Sequence, residues 1–127
     1  MAGTHSLERV EPLFLIAVGG FVGATLRYAV STALPSGFPW GTLTVNVLGS
    51  FALGLLLYEA RLTDLLSVET RLILGTGLLS SFTTYSTFAV ETASLDPAIA
   101  VANVGANYAL GFLAVVAARA VTRGSLL

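Results

Sequence analysis

A hydroxyl-rich stretch lies inside an apolar run of this chain that is long enough to cross a membrane. Six of the eight residues from Ser80 to Thr87 are Ser or Thr, and the other two are Phe82 and Tyr85. Ser and Thr compete for backbone hydrogen bonds, and Thr is stiff at χ1, so the pattern predicts a local break in a helix. Broken backbone at membrane depth is tolerated only where it is buried in protein or lines a cavity. We therefore expect this stretch to be the functional part of the molecule.

Asparagines in two other apolar runs supply amide groups that suit an anion. Asn46 lies on one helical face with Thr42 and Gly49. Asn103 and Asn107 are four residues apart, at the spacing of one helical face. An amide offers two N–H donors, which favour an anion over a cation, although a single buried Asn can also join helices by hydrogen bonds. Three asparagines on two helices weaken this second interpretation.

Arg27 is the basic residue that lies well inside an apolar run. A charge at that depth is costly, so we expect it to face protein or water, or to extend to the membrane surface. Two interpretations stay open. Arg27 either anchors the end of its helix or draws anions towards a vestibule.

The composition is that of a small integral membrane protein and excludes several other classes. Hydrophobic residues make up 55% of the chain and charged residues 10%, whereas a soluble domain has about a quarter charged residues. A net charge of −1 without a basic cluster argues against nucleic-acid binding. Cysteine is absent, and the single histidine, His5, lies in the polar N-terminal tail. We therefore expect neither a His- or Cys-ligated metal centre nor an enzyme.

The chain contains four charge-poor runs, each near the ~20 residues that a membrane-crossing helix needs. They predict an all-α protein of the cell membrane, with four helices in one domain over residues 1–127. They are Leu13–Leu34, Phe38–Tyr58, Leu72–Val90 and Pro97–Ala118. The tail before the first run lacks a basic region and a cleavage site, so we expect that helix to be retained. Gly19 and Gly23 form a GxxxG pair that predicts close helix packing. Because four thin helices can hardly enclose a polar pathway, we also expect a dimer.

Three motifs in this order resemble one known family. They are GGFVGATLRY at 19–28, GTLTVNVLGSF at 41–51, and TTYSTF at 83–88 followed by Glu91. The chain is similar in these motifs, and in its four helices, to the Fluc/CrcB fluoride channels. The resemblance implies passive export of fluoride from the cytoplasm by an antiparallel dimer, with two pores along the subunit interface and a break in the third helix.

The resemblance also implies roles for individual residues. Asn46 takes the position of the pore asparagine, and Thr42 that of a polar residue lining the pore. Tyr85 and Phe88 take the positions of two phenylalanines whose ring edges face fluoride. This chain departs from the family pattern at Tyr85, where the family has phenylalanine. The polar residues that line the pathway on the family's fourth helix correspond here to Asn103 and Asn107.

A structural sodium ion at the dimer centre is a further implication of the resemblance. The ion is bound by backbone carbonyls at the third-helix break, which correspond here to Ser80 and Thr83. The family usually has Gly where this chain has Ser80 and Ser81. Ser can supply the same carbonyl oxygen if it adopts the backbone geometry that Gly permits.

The residue types fit the chemistry of fluoride, which is small and tightly hydrated. Its passage requires donors that replace water and yet release the ion. Asn46, the third-helix hydroxyls Ser86 and Thr87, and the ring edges of Tyr85 and Phe88 form such a set. The sequence has no nucleotide-binding motif and no carboxylate within a predicted span, so it does not predict coupling of transport to ATP or to protons.

Two other functions stay open from the residues alone. A small four-helix, proton-coupled multidrug exporter needs a carboxylate embedded in the first helix, whereas Glu11 lies only at that helix's start. A purely structural membrane subunit is compatible with the packing glycines, but leaves the hydroxyl-rich stretch unexplained.

The distribution of arginine predicts a fixed orientation in the membrane. With a cytoplasmic N-terminus, the basic residues outside the spans all lie on the inner side, whereas the loops at 35–39 and 91–96 contain none. These inner residues are Arg9, Arg61, Arg71, Arg119 and Arg123. The dimer is then formed either with an oppositely oriented paralogue or, if the chain inserts both ways, with itself.

Overall fold

The computed structural model describes residues 2–58 and 66–125, which are all-helical apart from turns and short extended segments. Arg61, one of the residues in the orientation argument, lies outside this part. The elements in chain order are α1 (Ala2–Ala33), α2 (Trp40–Tyr58), α3 (Val68–Arg71), the π-helix π1 (Leu72–Leu79), α4 (Ser80–Phe82), α5 (Ser86–Ser94) and α6 (Pro97–Ser125).

Within the described residues, three helices are long and apolar enough to cross a membrane. Their candidate spans are Val10–Ala33, Trp40–Tyr58 and Pro97–Arg123, which belong to α1, α2 and α6. Large apolar side chains on α1 and α6 are strongly exposed, among them Phe21 and Phe112. Exposed apolar surface of this extent is expected where a helix faces lipid or another subunit.

A tight turn joins α1 to α2 and brings their ends together. Gly37 takes a φ of +111°, a backbone conformation that favours glycine. The rings of Phe38 and Trp40 contact each other at a tilt of 48°, with centroids 4.7 Å apart. A Cβ atom at Gly41 would lie 2.8 Å from the Cα of Ser31, so the start of α2 packs directly on the backbone of α1.

The third segment of the chain is built from several short helical pieces. Ser67 caps its start, because its hydroxyl accepts the Thr70 N–H at 3.1 Å. The helix runs through π1 and α4 to Phe82, and Thr83 is then extended, with φ −80° and ψ 159°. Helix α5 begins at Ser86, so residues 83–85 connect two helical pieces without being helical themselves.

Helix α1 packs against π1 at backbone distance through three glycines. A Cβ atom at Gly77 would lie 2.8 Å from the carbonyl oxygen of Ile16 and 2.9 Å from the Cα of Gly19. A Cβ atom at Gly23 would overlap the carbonyl oxygen of Leu78. This is the close helix packing that the GxxxG pair predicts.

Helix α2 packs along α6 on one side and against the third segment on the other. Its Gly54 faces the Cβ atom of Ala118, and its Gly49 faces the side chain of Thr83. Val45 of α2 and Asn103 of α6 are the largest fully buried side chains in the described part. The non-helical residues 83–85 are thus held beside α2 and α6, which carry the asparagines.

Candidate functional site

A groove of about 360 Å³ lies where α2, α5 and α6 meet the non-helical residues. It brings together four side chains that the sequence analysis assigns to an anion pathway: Asn46, Tyr85, Phe88 and Asn107. The remaining lining residues are Ser50, Thr84, Tyr108, Gly111, Phe112 and Val115. None of these described lining residues carries a charge.

The side chain of Asn46 binds the backbone of Thr84. Its Oδ1 accepts the Thr84 N–H at 2.8 Å, and its Nδ2 donates to the Thr84 carbonyl at 2.9 Å. Both polar backbone groups of Thr84 are therefore satisfied by one amide at the point where no helix satisfies them. Asn46 joins α2 to the non-helical residues and fixes their position in the groove.

The other two asparagines extend this contact into a chain of hydrogen bonds. Asn46 Nδ2 lies 3.4 Å from Asn107 Oδ1. Asn107 Nδ2 donates to the Oδ1 and carbonyl oxygens of Asn103, at 3.0 and 2.8 Å. Asn103, which is 1% exposed, donates to the Thr92 hydroxyl at 2.9 Å, and that hydroxyl donates to the Phe88 carbonyl at 2.6 Å. The Nδ2 groups of all three asparagines thus donate within the protein.

Three aromatic rings form a row along the groove. The Tyr85 and Phe88 centroids are 5.9 Å apart, and those of Phe88 and Tyr108 are 6.3 Å apart with an edge-to-face angle of 80°. Phe88 is 7% exposed, whereas Tyr85 and Tyr108 are 72% and 62% exposed. Sequence reasoning missed Tyr108, because it is next to Asn107 and lies off the helical face that the asparagines share. The signal that could have identified Tyr108 is its aromatic hydroxyl in the middle of a long apolar helix.

Thr42 lines a second groove, at the turn between α1 and α2. Its hydroxyl is buried and donates to the Glu91 carboxylate. Both residues line a cavity of about 460 Å³ together with the turn residues Pro35 and Trp40. Thr42 therefore does not line the groove of Asn46, and its partner Glu91 was not among the predicted site residues.

The remaining predicted pathway residues lie elsewhere. Ser86 and Thr87 are exposed on α5 and are not among the side chains that line the first groove. Arg27 is half-buried on α1, and no ion pair or hydrogen bond joins its side chain to another residue in the described part. The side chains of these three residues are therefore not part of the lining of the first groove.

The carbonyls of Ser80 and Thr83 lose their regular helical partners. In a continuous helix, Ser80 O would accept the Thr84 N–H, which instead binds Asn46 Oδ1. Thr83 O would accept the Thr87 N–H, which instead binds the Thr84 hydroxyl at 3.2 Å. Both residues line a third groove of about 400 Å³, and Ser80 is exposed. Freed carbonyl oxygens in broken membrane helices are a donor set that suits sodium.

Comparison with known proteins places these features in a family. The model of the CrcB-like protein family, described as Camphor Resistance (CrcB), matches residues 14–119. The chain belongs to the CrcB family. The matched range begins in α1 and ends in α6, so it includes all three grooves.

Several relatives in the CrcB family cover most of this chain. Fluoride-specific ion channel FluC 1 of Haloarcula marismortui is 54% identical over 123 residues, which are 97% of this chain and 94% of the relative. FluC 1 of Natronomonas pharaonis is 54% identical over 109 residues, covering 86% and 92%. FluC 2 of Halobacterium salinarum is 56% identical over 108 residues, covering 84% and 83%.

Membership of the CrcB family confirms the resemblance that the three motifs indicate. The names of these relatives describe ion channels, a class of transport protein distinct from enzymes. Together with the three long apolar helices, the family establishes a multi-pass membrane protein.

Proposed function

We propose that this protein is a fluoride channel that lets the ion leave the cytoplasm passively. The observation that carries the proposal is the groove in which Asn46 holds the non-helical backbone at Thr84 beside the ring of Phe88. The three relatives described above are named as fluoride-specific channels and support the same ion.

The chemistry of the groove suits an anion that must bind weakly enough to leave. Aromatic ring edges carry a partial positive charge, and neutral polar groups can replace part of the ion's hydration shell. No charged side chain lines the described part of the groove, so no fixed cation there would hold the ion. Conduction requires this balance between entry and release.

The third segment, as we propose it, crosses the membrane as one broken helix. Its π1 portion packs on α1 at backbone distance, and Asn46 satisfies the backbone where the helix is interrupted. Non-helical backbone is tolerated at membrane depth when protein surrounds it in this way. With α1, α2 and α6, this segment makes the fourth crossing.

An antiparallel dimer completes the pathway in this proposal. The first groove is open on one side, and Tyr85 and Tyr108 are largely exposed in the single chain. A second subunit would cover these rings and enclose the ion between the two chains. That subunit is either a second copy of this chain or an oppositely oriented paralogue.

A structural sodium ion would be bound by the carbonyls of Ser80 and Thr83. These two oxygens fit the ion because their helical N–H partners bind elsewhere. When bound at the dimer centre, sodium supplies the positive charge that balances the carbonyl oxygens of the interrupted helix. The serine at position 80 leaves this donor set intact, since only its backbone oxygen is used.

The test is fluoride efflux from liposomes that contain the purified protein, followed with a fluoride-selective electrode. We expect efflux far above that of protein-free liposomes, and little efflux when chloride is loaded instead. Fluoride efflux equal to the protein-free background, from protein that is folded and dimeric, would contradict the proposal.

A further inference from the structure

Tyr108 lies near the middle of a membrane-spanning helix, where a tyrosine is not expected without a partner. The candidate span of α6 runs from Pro97 to Arg123, and Tyr108 lies about 16 Å along it from Pro97 at 1.5 Å per residue. Tyrosines of membrane proteins are enriched at the two interfaces, where the hydroxyl reaches water. At mid-membrane depth the hydroxyl needs another acceptor.

Within the described residues, the structure provides none. Neither the Tyr108 hydroxyl nor the Tyr85 hydroxyl makes a hydrogen bond there, and both side chains line the first groove. A hydroxyl kept from water without a hydrogen bond is costly. The position of Tyr108 beside the groove, and away from either helix end, indicates that its acceptor enters the groove.

The asparagines do not compete for that role in this conformation. The Nδ2 groups of Asn46, Asn107 and Asn103 all donate to protein oxygens. Four hydroxyls that line the groove donate no hydrogen bond within the described residues, those of Ser50, Thr84, Tyr85 and Tyr108, and the two tyrosine hydroxyls are the ones carried by the aromatic row. Phe88 lies between them in contact with both rings.

We infer that the Tyr108 hydroxyl binds the permeating fluoride directly, together with the Tyr85 hydroxyl on the other side of Phe88. This inference rests on the proposed function, because it names a further ion-binding residue of the same pathway. A neutral O–H group can donate one hydrogen bond to fluoride and release it again. The ring of Tyr108 also supports Phe88 edge-to-face.

The hydroxyl and the ring can be separated by two variants. Tyr108→Phe keeps the ring contact with Phe88 and removes only the donor. Tyr108→Leu removes both. Tyr28→Phe is the matched control, because Tyr28 is also largely exposed but lies on α1 and does not line the groove.

The measurement is fluoride efflux from liposomes as a function of fluoride concentration. For Tyr108→Phe we expect the half-saturating concentration to rise about tenfold, the effect of losing one hydrogen bond to a charged group. Tyr108→Leu should raise it further, and Tyr28→Phe should leave it unchanged. Tyr85→Phe should raise it as Tyr108→Phe does, which keeps the inference testable if one variant does not fold.

Two results would overturn the inference while leaving the proposed function intact. One is a wild-type half-saturating concentration in both Phe variants. The other is a loss of dimer stability in Tyr108→Phe with no change in that concentration, which would assign the hydroxyl to a hydrogen bond with the partner subunit. Absence of fluoride efflux from the wild-type protein would instead contradict the proposed function itself.

Discussion

Asn46 makes, with one amide, both hydrogen bonds that the backbone of Thr84 needs where the third segment is not helical. The Thr84 N–H donates to Oδ1 at 2.8 Å, and Nδ2 donates to the Thr84 carbonyl at 2.9 Å. The same contact removes the N–H partner from Ser80 O. One side chain therefore links the groove to the proposed cation site.

Asn46→Asp should lower fluoride efflux at least tenfold. The carboxylate keeps an acceptor for the Thr84 N–H but places an oxygen against the Thr84 carbonyl, and its charge repels an anion in the groove. Efflux from liposomes measures the effect. Thr44→Ala, on the same helix but outside the groove, is the control and should conduct as the wild type does. Normal efflux from folded Asn46→Asp dimers would show that the amide is not part of the pathway.

Phe88→Ile should also abolish most of the efflux, because it removes the ring between Tyr85 and Tyr108. The side chain is buried, so some loss of stability accompanies the change. Phe14→Ile makes the same substitution at an exposed position on α1 and should leave efflux unchanged. The assignment of Phe88 fails if the two variants conduct equally well.

Gly23→Ala should destabilise the protein by about 1–3 kcal/mol, the usual cost of overpacking a close contact. Its Cβ atom would overlap the carbonyl oxygen of Leu78, which is backbone and cannot move aside easily. Gly105→Ala is the matched control on α6, since a Cβ atom added there would have no neighbour within 4 Å. That change should stabilise the helix by up to about 1 kcal/mol. Thermal unfolding in detergent compares the two, and equal midpoints would contradict the packing.

Replacement of sodium by a large organic cation should weaken both dimerisation and fluoride efflux. The reason is that the carbonyls of Ser80 and Thr83 would lose the ion that compensates for their missing N–H partners. The exchange begins from sodium-free, unfolded protein, so that a trapped ion does not mask the effect. If dimers form and conduct fluoride equally well with sodium and with the organic cation, the proposed sodium site is contradicted.

The chain expressed alone should insert in a single orientation, with its C-terminus in the cytoplasm. Arg71, Arg119 and Arg123 lie on the side that the positive-inside rule assigns to the cytoplasm, and the loops at 35–39 and 91–96 carry no basic residue. Reporter fusions at the C-terminus measure this. Substantial labelling from both sides of the membrane would instead indicate a dual-topology homodimer.

Hydropathy and motif spacing predict the parts of this molecule that depend on local sequence. The charge-poor runs contain three helices long enough to cross a membrane, and the Gly19–Gly23 pair predicts the close packing of α1. The spacing of Asn103 and Asn107 likewise predicts that they share a helical face, and their side chains form a direct hydrogen bond. Each of these features follows from residues that are close in the chain.

The features that sequence reasoning missed depend on contacts between distant segments. The direction of the Asn46 amide is set by the backbone of Thr84, which lies 38 positions further along the chain. Glu91 on α5 accepts a hydrogen bond from Thr42 near the start of α2, although the two residues are 49 positions apart in the chain. Tyr108 joins the aromatic row because α6 packs beside Phe88, and no periodic pattern in the sequence contains that information.

The hydrogen-bond chain between the asparagines has one direction along its whole length. The Thr84 N–H can only donate and its carbonyl can only accept, so Oδ1 of Asn46 must face the N–H and Nδ2 must face the carbonyl. The same constraint then passes to Asn107, whose Oδ1 lies towards Asn46 and whose Nδ2 lies towards Asn103.

At its other end the chain meets a second fixed group. Asn103 Nδ2 occupies a lone pair of the Thr92 hydroxyl, so that hydroxyl directs its proton to the Phe88 carbonyl, which can only accept. A donor-only group and an acceptor-only group thus terminate a row of amides that has a single polarity. To rotate the amide of Asn46 or Asn107 by half a turn would set oxygen against oxygen at one side and N–H against N–H at the other, so the Thr84 backbone and the Asn103 carbonyl hold both amide dipoles beneath the groove in one direction.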